Sequence, residues 1–126
     1  MTKNESENQD LVSAPLPFML AWGLPLLLLT SMNFAHGVLP YAAIVLIMAG
    51  TFVWMGLSCL LNARRCRRRH CYYSGPIFLA GAAAIILIGF EIISLGSDGL
   101  VYAVWGTLGL VMLTFVSELI WGKYVR

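Results

Sequence analysis

Charge is what this sequence has least of. Only 11% of its 126 residues are Asp, Glu, Lys or Arg, against about 25% in soluble domains. No such residue occurs between Asp10 and Arg64, nor between Arg69 and Glu91. With 60% hydrophobic residues and a mean hydropathy of +0.82, a soluble fold of this size could not hide the apolar surface. Cysteine is sparse as well. The three, Cys59, Cys66 and Cys71, form an odd set around one basic segment, which argues against a secreted disulfide framework. The chain also lacks a nucleotide-binding loop and a helical zinc-hydrolase signature. Its only nucleophile–base neighbours are His70 and Cys71, and a phosphatase loop is excluded because Ile77 stands where an arginine would hold phosphate. No enzymatic activity is expected. A positive leading region is missing too, since residues 1–15 set Glu5, Glu7 and Asp10 against Lys3. Asn33 also fits poorly before a cleavage after Ala35, so the start is expected to be a polar cytoplasmic tail rather than a secretory signal.

What is present is a series of long apolar runs. The pattern predicts an all-α bundle of four transmembrane helices at about 16–32, 38–61, 76–95 and 100–121. Pro25 is expected to kink the first, as membrane helices tolerate. A polar loop is expected over 62–75, with Pro76 as a first-turn residue of the third helix. Four spans place both termini and that loop on one face, which then carries all eight basic residues. The positive-inside tendency makes that face cytoplasmic and the expected location the plasma membrane. Tyr72, Tyr73, Trp121 and Tyr124 fall at the matching aromatic belt. Small residues recur on the later spans, Ala80, Gly81, Ala84, Gly89, Gly106 and Gly109. They suit close packing within the bundle, or a face for a second copy.

The segment from Cys59 to Pro76 carries the chemistry. Two thiols and an imidazole, Cys66, His70 and Cys71, suit a soft-metal site. If the second helix continues beyond the membrane, Cys66 and His70 stand four apart on one face, a spacing by which helical pairs grip an ion. Cys59, seven residues earlier and roughly 10 Å deeper, would be a hand-off point. Arg64, Arg65, Arg67, Arg68 and Arg69 favour thiolate over thiol but repel a bare cation. Mercury, copper(I) or zinc delivered on another thiol is therefore the expected cofactor class. The same arginines also serve as a topology anchor on anionic headgroups. Glu118 is expected to form an ion pair with this loop or Lys123, and Glu91 lies near the outer end of the third span. His36, Glu91 and Asp98 can be drawn as an outer polar cluster.

The run from Asn62-Ala63-Arg64-Arg65-Cys66 through His70-Cys71 to Gly75-Pro76, with the tail Glu118 to Tyr124, resembles a small, largely uncharacterised bacterial multi-span membrane family. The resemblance covers under a third of the chain and implies no activity. In size and in its cysteine-bearing loop the chain is similar to bacterial mercury-uptake membrane proteins, although its first span has no cysteine. Three readings stay open: soft-metal binding or transport, a non-catalytic accessory or lipid-contact subunit of a larger complex, and a thiol redox sensor using Cys66 and Cys71. Expected partners are membrane lipids and either a second copy or a larger membrane complex, with no nucleic acid.

Overall fold

The computed structural model describes residues 2–32, 34–122 and 124, and the side chains of these except Lys3, Ser6 and Glu7. Asn33, Lys123 and Arg126 lie outside the described residues, and with them the expected pairing of Glu118 with Lys123. Helix α1 (Lys3–Gln9) is followed by α2 (Pro15–Met32), a single 3-10 turn at Ala35–Gly37, α3 (Tyr41–Cys66), α4 (Arg69–Gly89) and α5 (Gly99–Trp121). Among the described residues there is no strand. Helices α2 to α5 are each long and apolar enough to cross a membrane, so this is a small multi-pass integral membrane protein.

Helix α2 changes register part-way, and proline explains how. Met19–Gly23 is a π-helical turn in which the Leu24 N–H donates to the Met19 carbonyl, five residues back. In that register the Leu20 carbonyl would accept from residue 25, but Pro25 has no N–H. The orphaned carbonyl is taken by the Trp54 indole of α3, whose Nε1 donates to it at 3.2 Å. A neighbouring helix thus satisfies a group that lipid cannot.

The α3–α4 pair makes the most extensive helix contact, followed by α4–α5 and then α2–α3. The α3 and α4 backbones approach closely at Gly56 and Gly75. A Cβ added to Gly56 would lie 3.1 Å from the Gly75 carbonyl oxygen. Phe52 and Phe78 meet edge-on in the same seam, with ring centroids 5.7 Å apart. Gly89 packs under Val45, and Gly81 under Thr107 of α5. By contrast Gly106 and Gly109 face open space, Ala80 is exposed and Ala84 half-buried. The small residues therefore divide between packed seams and the outer surface. Helices α2 and α5 face each other across an apolar cavity of about 180 Å³, lined in part by Leu26, Leu29, Met48, Val104 and Trp105.

The segment expected as a loop over 62–75 is mostly helical. Helix α3 runs on to Cys66 and α4 begins at Arg69, leaving only Arg67 and Arg68 between them. Arg67 adopts the left-handed conformation at φ 54° and its N–H closes α3 on the Ala63 carbonyl at 2.9 Å. Arg68 is extended, at φ −69° and ψ 127°, and starts α4. The reversal is thus a left-handed helix cap without glycine. Pro76 stands inside α4 rather than at its first turn. Helix α4 ends at Gly89, short of the expected position 95, so Glu91 lies beyond it with φ 58°. The 26 residues of α3 span about 39 Å at 1.5 Å per residue. That exceeds the ~30 Å hydrocarbon core, so α3 is longer than a crossing requires.

Candidate thiol–imidazole–carboxylate site

Both described chain ends meet the Arg67–Arg68 turn at this end of the bundle. Arg68 is the hub. Its Nη1 donates to Asp10 Oδ2 at 2.6 Å and its Nε to Glu118 Oε1 at 3.2 Å. Tyr124 pairs with Arg68 through a single antiparallel backbone bridge, and its hydroxyl donates to Asp10 Oδ2 at 3.4 Å. Asp10 is only 4% exposed, and its Oδ1 accepts from Asn62 Nδ2 and from the Val12 N–H, each at 2.9 Å. The Leu11 N–H donates to Asn62 Oδ1 at 2.9 Å. Burial works to raise the Asp10 pKa, but these hydrogen bonds and the Arg68 charge outweigh it and hold the carboxyl below the usual range. Burial likewise works to lower the Arg68 pKa, and the two carboxylates more than offset it.

Behind this ion-paired layer lies the nucleophilic chemistry. Glu118 Oε1 faces His70 Nδ1 at 2.5 Å and accepts from the His70 backbone N–H at 3.5 Å. The imidazole stacks on Phe115 of α5, with centroids 4.3 Å apart. With Glu118 ionised, Nδ1 is the donor and the Nε2 lone pair is left facing Cys71 Sγ, 3.3 Å away. A thiol, an oriented imidazole and a carboxylate thus stand in sequence, the arrangement that raises thiolate character in nucleophilic sites. Asn62 Nδ2 also approaches Cys71 Sγ at 3.6 Å, so one amide bridges the Asp10 layer and the thiol. Cys59 of α3 and Cys71 of α4 belong to one buried apolar cluster, against which Trp22 of α2 packs. Ser74 Oγ is buried and has no hydrogen-bond partner among the described residues. All three cysteines are free and at most 1% exposed.

The expected ligand set Cys66, His70 and Cys71 does not converge. The left-handed cap at Arg67 puts Cys66 and His70 on different helices, so their spacing of four no longer places them on one face. Cys66 Sγ instead donates to the Asn62 carbonyl at 3.1 Å, within its own helix. Among the described residues, no group of three His, Cys, Asp or Glu side chains is arranged to hold a metal ion. The arginines also divide. Arg64, Arg65 and Arg67 are exposed, Arg69 is half-buried with its Nε unpaired, and Arg68 turns inward. At the other end, His36 lines the apolar cavity and Glu91 a separate polar one. Asp98 is exposed at the start of α5, and among the described residues no hydrogen bond or ion pair joins these three. Asp10 was invisible as a site residue, because a lone acid in a polar head gives no sign of burial.

Comparison of the chain with protein families, with curated proteins and with solved structures finds no match.

Proposed function

We propose that this chain is a four-span plasma-membrane protein that takes up a thiolate-seeking metal ion at its arginine-rich end, which faces the cytoplasm. The orientation is supported by the clustering of the arginines at one end of the bundle. A bacterial inner membrane is the setting that the resemblance of the Asn62–Pro76 run and the Glu118–Tyr124 tail implies. The observation that carries the metal reading is the line from Cys71 Sγ to His70 Nε2 at 3.3 Å and from His70 Nδ1 to Glu118 at 2.5 Å. Such a thiol can give up its proton to the imidazole as an ion arrives, and the deprotonated sulfur is the ligand. The buried, ionisable cluster lies in a membrane protein, where such groups are costly and mark function.

Elemental analysis of detergent-purified protein after exposure to copper(I), mercury(II) or zinc tests this. Wild type should retain close to one ion per chain and Cys71→Ser should retain none. Equal, low metal in both would refute the reading and favour the accessory, lipid-contact role, which the outward Arg64, Arg65 and Arg67 would serve. For a thiol redox role the pair that shares one buried cluster is Cys59 and Cys71, in place of Cys66 and Cys71. That role predicts a reversible intramolecular disulfide on oxidation, with no metal retained.

A further inference from the structure

The apolar cavity between α2 and α5 lies at the end of the bundle opposite the thiols, and its lining makes it a slot along the helices. On α5 it is lined by Val101, Val104 and Leu108, on successive turns that span about 10 Å at 1.5 Å per residue. Leu29 of α2 and Met48 of α3 line it as well, and His36, in the turn Ala35–Gly37, stands at its end. The side between α2 and α5 is not closed by backbone. Among the described residues no Cα of α2 lies within 8 Å of one in α5, and the lining residues Val101 and Trp105 are exposed.

Water is a poor occupant of this slot. Among the described lining residues only Thr30, His36 and Trp105 carry a side-chain nitrogen or oxygen, and the Thr30 hydroxyl is held by the Leu26 and Leu27 carbonyls at 3.1 and 2.9 Å. A buried water needs two to four polar partners, whereas an apolar cavity of about 150 Å³ stays dry and admits benzene. At about 180 Å³ the slot has room for a hydrocarbon group. A helix of a second copy, about 10–12 Å across, is too wide to enter. Transmembrane helices stand on average about 20° from the bilayer normal, so the slot runs along the direction of the lipid chains beside it. Left empty, its walls would forfeit dispersion contacts. We propose that the slot is a binding site for one acyl chain of a bilayer phospholipid, which enters sideways between α2 and α5 with its glycerol end at the level of His36.

The test places full-length protein in phosphatidylcholine nanodiscs doped with a phosphatidylcholine that carries a diazirine at mid-chain, and locates the photolabel by mass spectrometry. Surface residues such as Leu27 and Leu113, 66% and 64% exposed, should be labelled by any surrounding lipid. Leu29 is only 7% exposed, so label on Leu29 together with Met48 requires a chain within the slot. Both are expected to be labelled in wild type, a result that needs no variant to fold. Val104→Phe, which fills the slot, and Val101→Phe, at its exposed rim, should each lower that labelling by about tenfold or more and leave Leu113 unchanged. Label confined to Leu27 and Leu113 in wild type would overturn the proposal, whether the slot is then empty or plugged by a side chain of a second copy. Undiminished label on Leu29 and Met48 in both Phe variants would overturn it as well.

Discussion

Replacing Arg68 by methionine should destabilise the protein far more than replacing any of its outward neighbours. Arg68 holds two carboxylates whose side chains are 2% and 9% exposed, Asp10 and Glu118. Removing one partner of a buried ion pair costs about 3–5 kcal/mol, because the remaining charge is left unsolvated. Here both acids keep other partners: Asn62 and the Val12 N–H on Asp10, His70 on Glu118. The expected loss therefore sits at the lower end, about 3 kcal/mol. Arg64→Met, at an exposed position, should stay within about 0.5 kcal/mol of wild type. Asp10→Asn combined with Arg68→Met should recover part of the loss, with a coupling energy of about 1–3 kcal/mol. Unfolding of wild type, these three variants and Asp10→Asn in mixed micelles of increasing denaturing-detergent fraction, followed by circular dichroism, gives these values. If Arg68→Met unfolds within about 1 kcal/mol of Arg64→Met, Arg68 is an ordinary interfacial arginine and the buried-hub argument fails.

Three further outcomes follow from named contacts. Gly81→Val should disrupt the α4–α5 seam by about 2 kcal/mol or more, since even a Cβ there would lie 2.5 Å from Thr107 Cγ2. Gly106→Val, in open space, should be nearly neutral in monomeric detergent, and equal effects in the two unfolding curves would contradict the seam. The depressed Asp10 pKa means that its contribution is complete above the unfolded value of about 3.9 and disappears as pH falls through the lower folded value. Wild type should accordingly show an acid limb below about pH 4 that Asp10→Asn flattens; an unchanged limb would place the titrating group elsewhere. Trp54→Phe leaves the Leu20 carbonyl without its donor and should cost about 1 kcal/mol, whereas Trp105→Phe, which the structure gives no such bond, serves as the neutral control.

The spans were legible because lipid imposes one requirement over many residues. A stretch free of charge from Leu11 to Ala63 can cross a membrane only as helices, and the turns between them fall where apolar character drops. The helix ends at the arginine pole were not legible. A run of arginines beside Ser74-Gly75-Pro76 looks like a loop leading into a proline start. The real break is a left-handed arginine, for which no propensity rule exists, and Pro76 is absorbed because membrane helices tolerate proline. That two-residue reversal decides the site. It separates Cys66 from His70, and it turns Cys71 into the buried cluster that also holds Cys59 of the neighbouring helix. The pairing of Glu118 with the arginine cluster follows from charge economy in lipid, but which arginine turns inward depends on backbone direction at one residue. Asp10 is the clearest gap, since its burial is created by partners at 62, 68 and 124 that lie far away in sequence.

An apolar plug would hold the helix ends together at least as well as this ionic cluster, since well-packed hydrophobic replacements of buried ion pairs are often neutral or stabilising. The charge count suggests what the cluster adds. Asp10 and Glu118 contribute two negative charges and Arg68 one positive, so with neutral His70 the hydrogen-bonded group carries one net negative charge beside two thiols. The N-terminal segment takes part through Asp10 and Leu11, both bonded to Asn62, whose amide also reaches Cys71. A change at the Cys71 thiol is therefore linked through one amide to the contacts that hold Asp10 and Leu11 against α3. Asn62→Leu tests that link: it strips the Leu11 N–H of its acceptor and Asp10 of one donor, so it should cost about 1–3 kcal/mol in the mixed-micelle unfolding measurement, and a variant as stable as wild type would show that the Arg68 side of the cluster suffices.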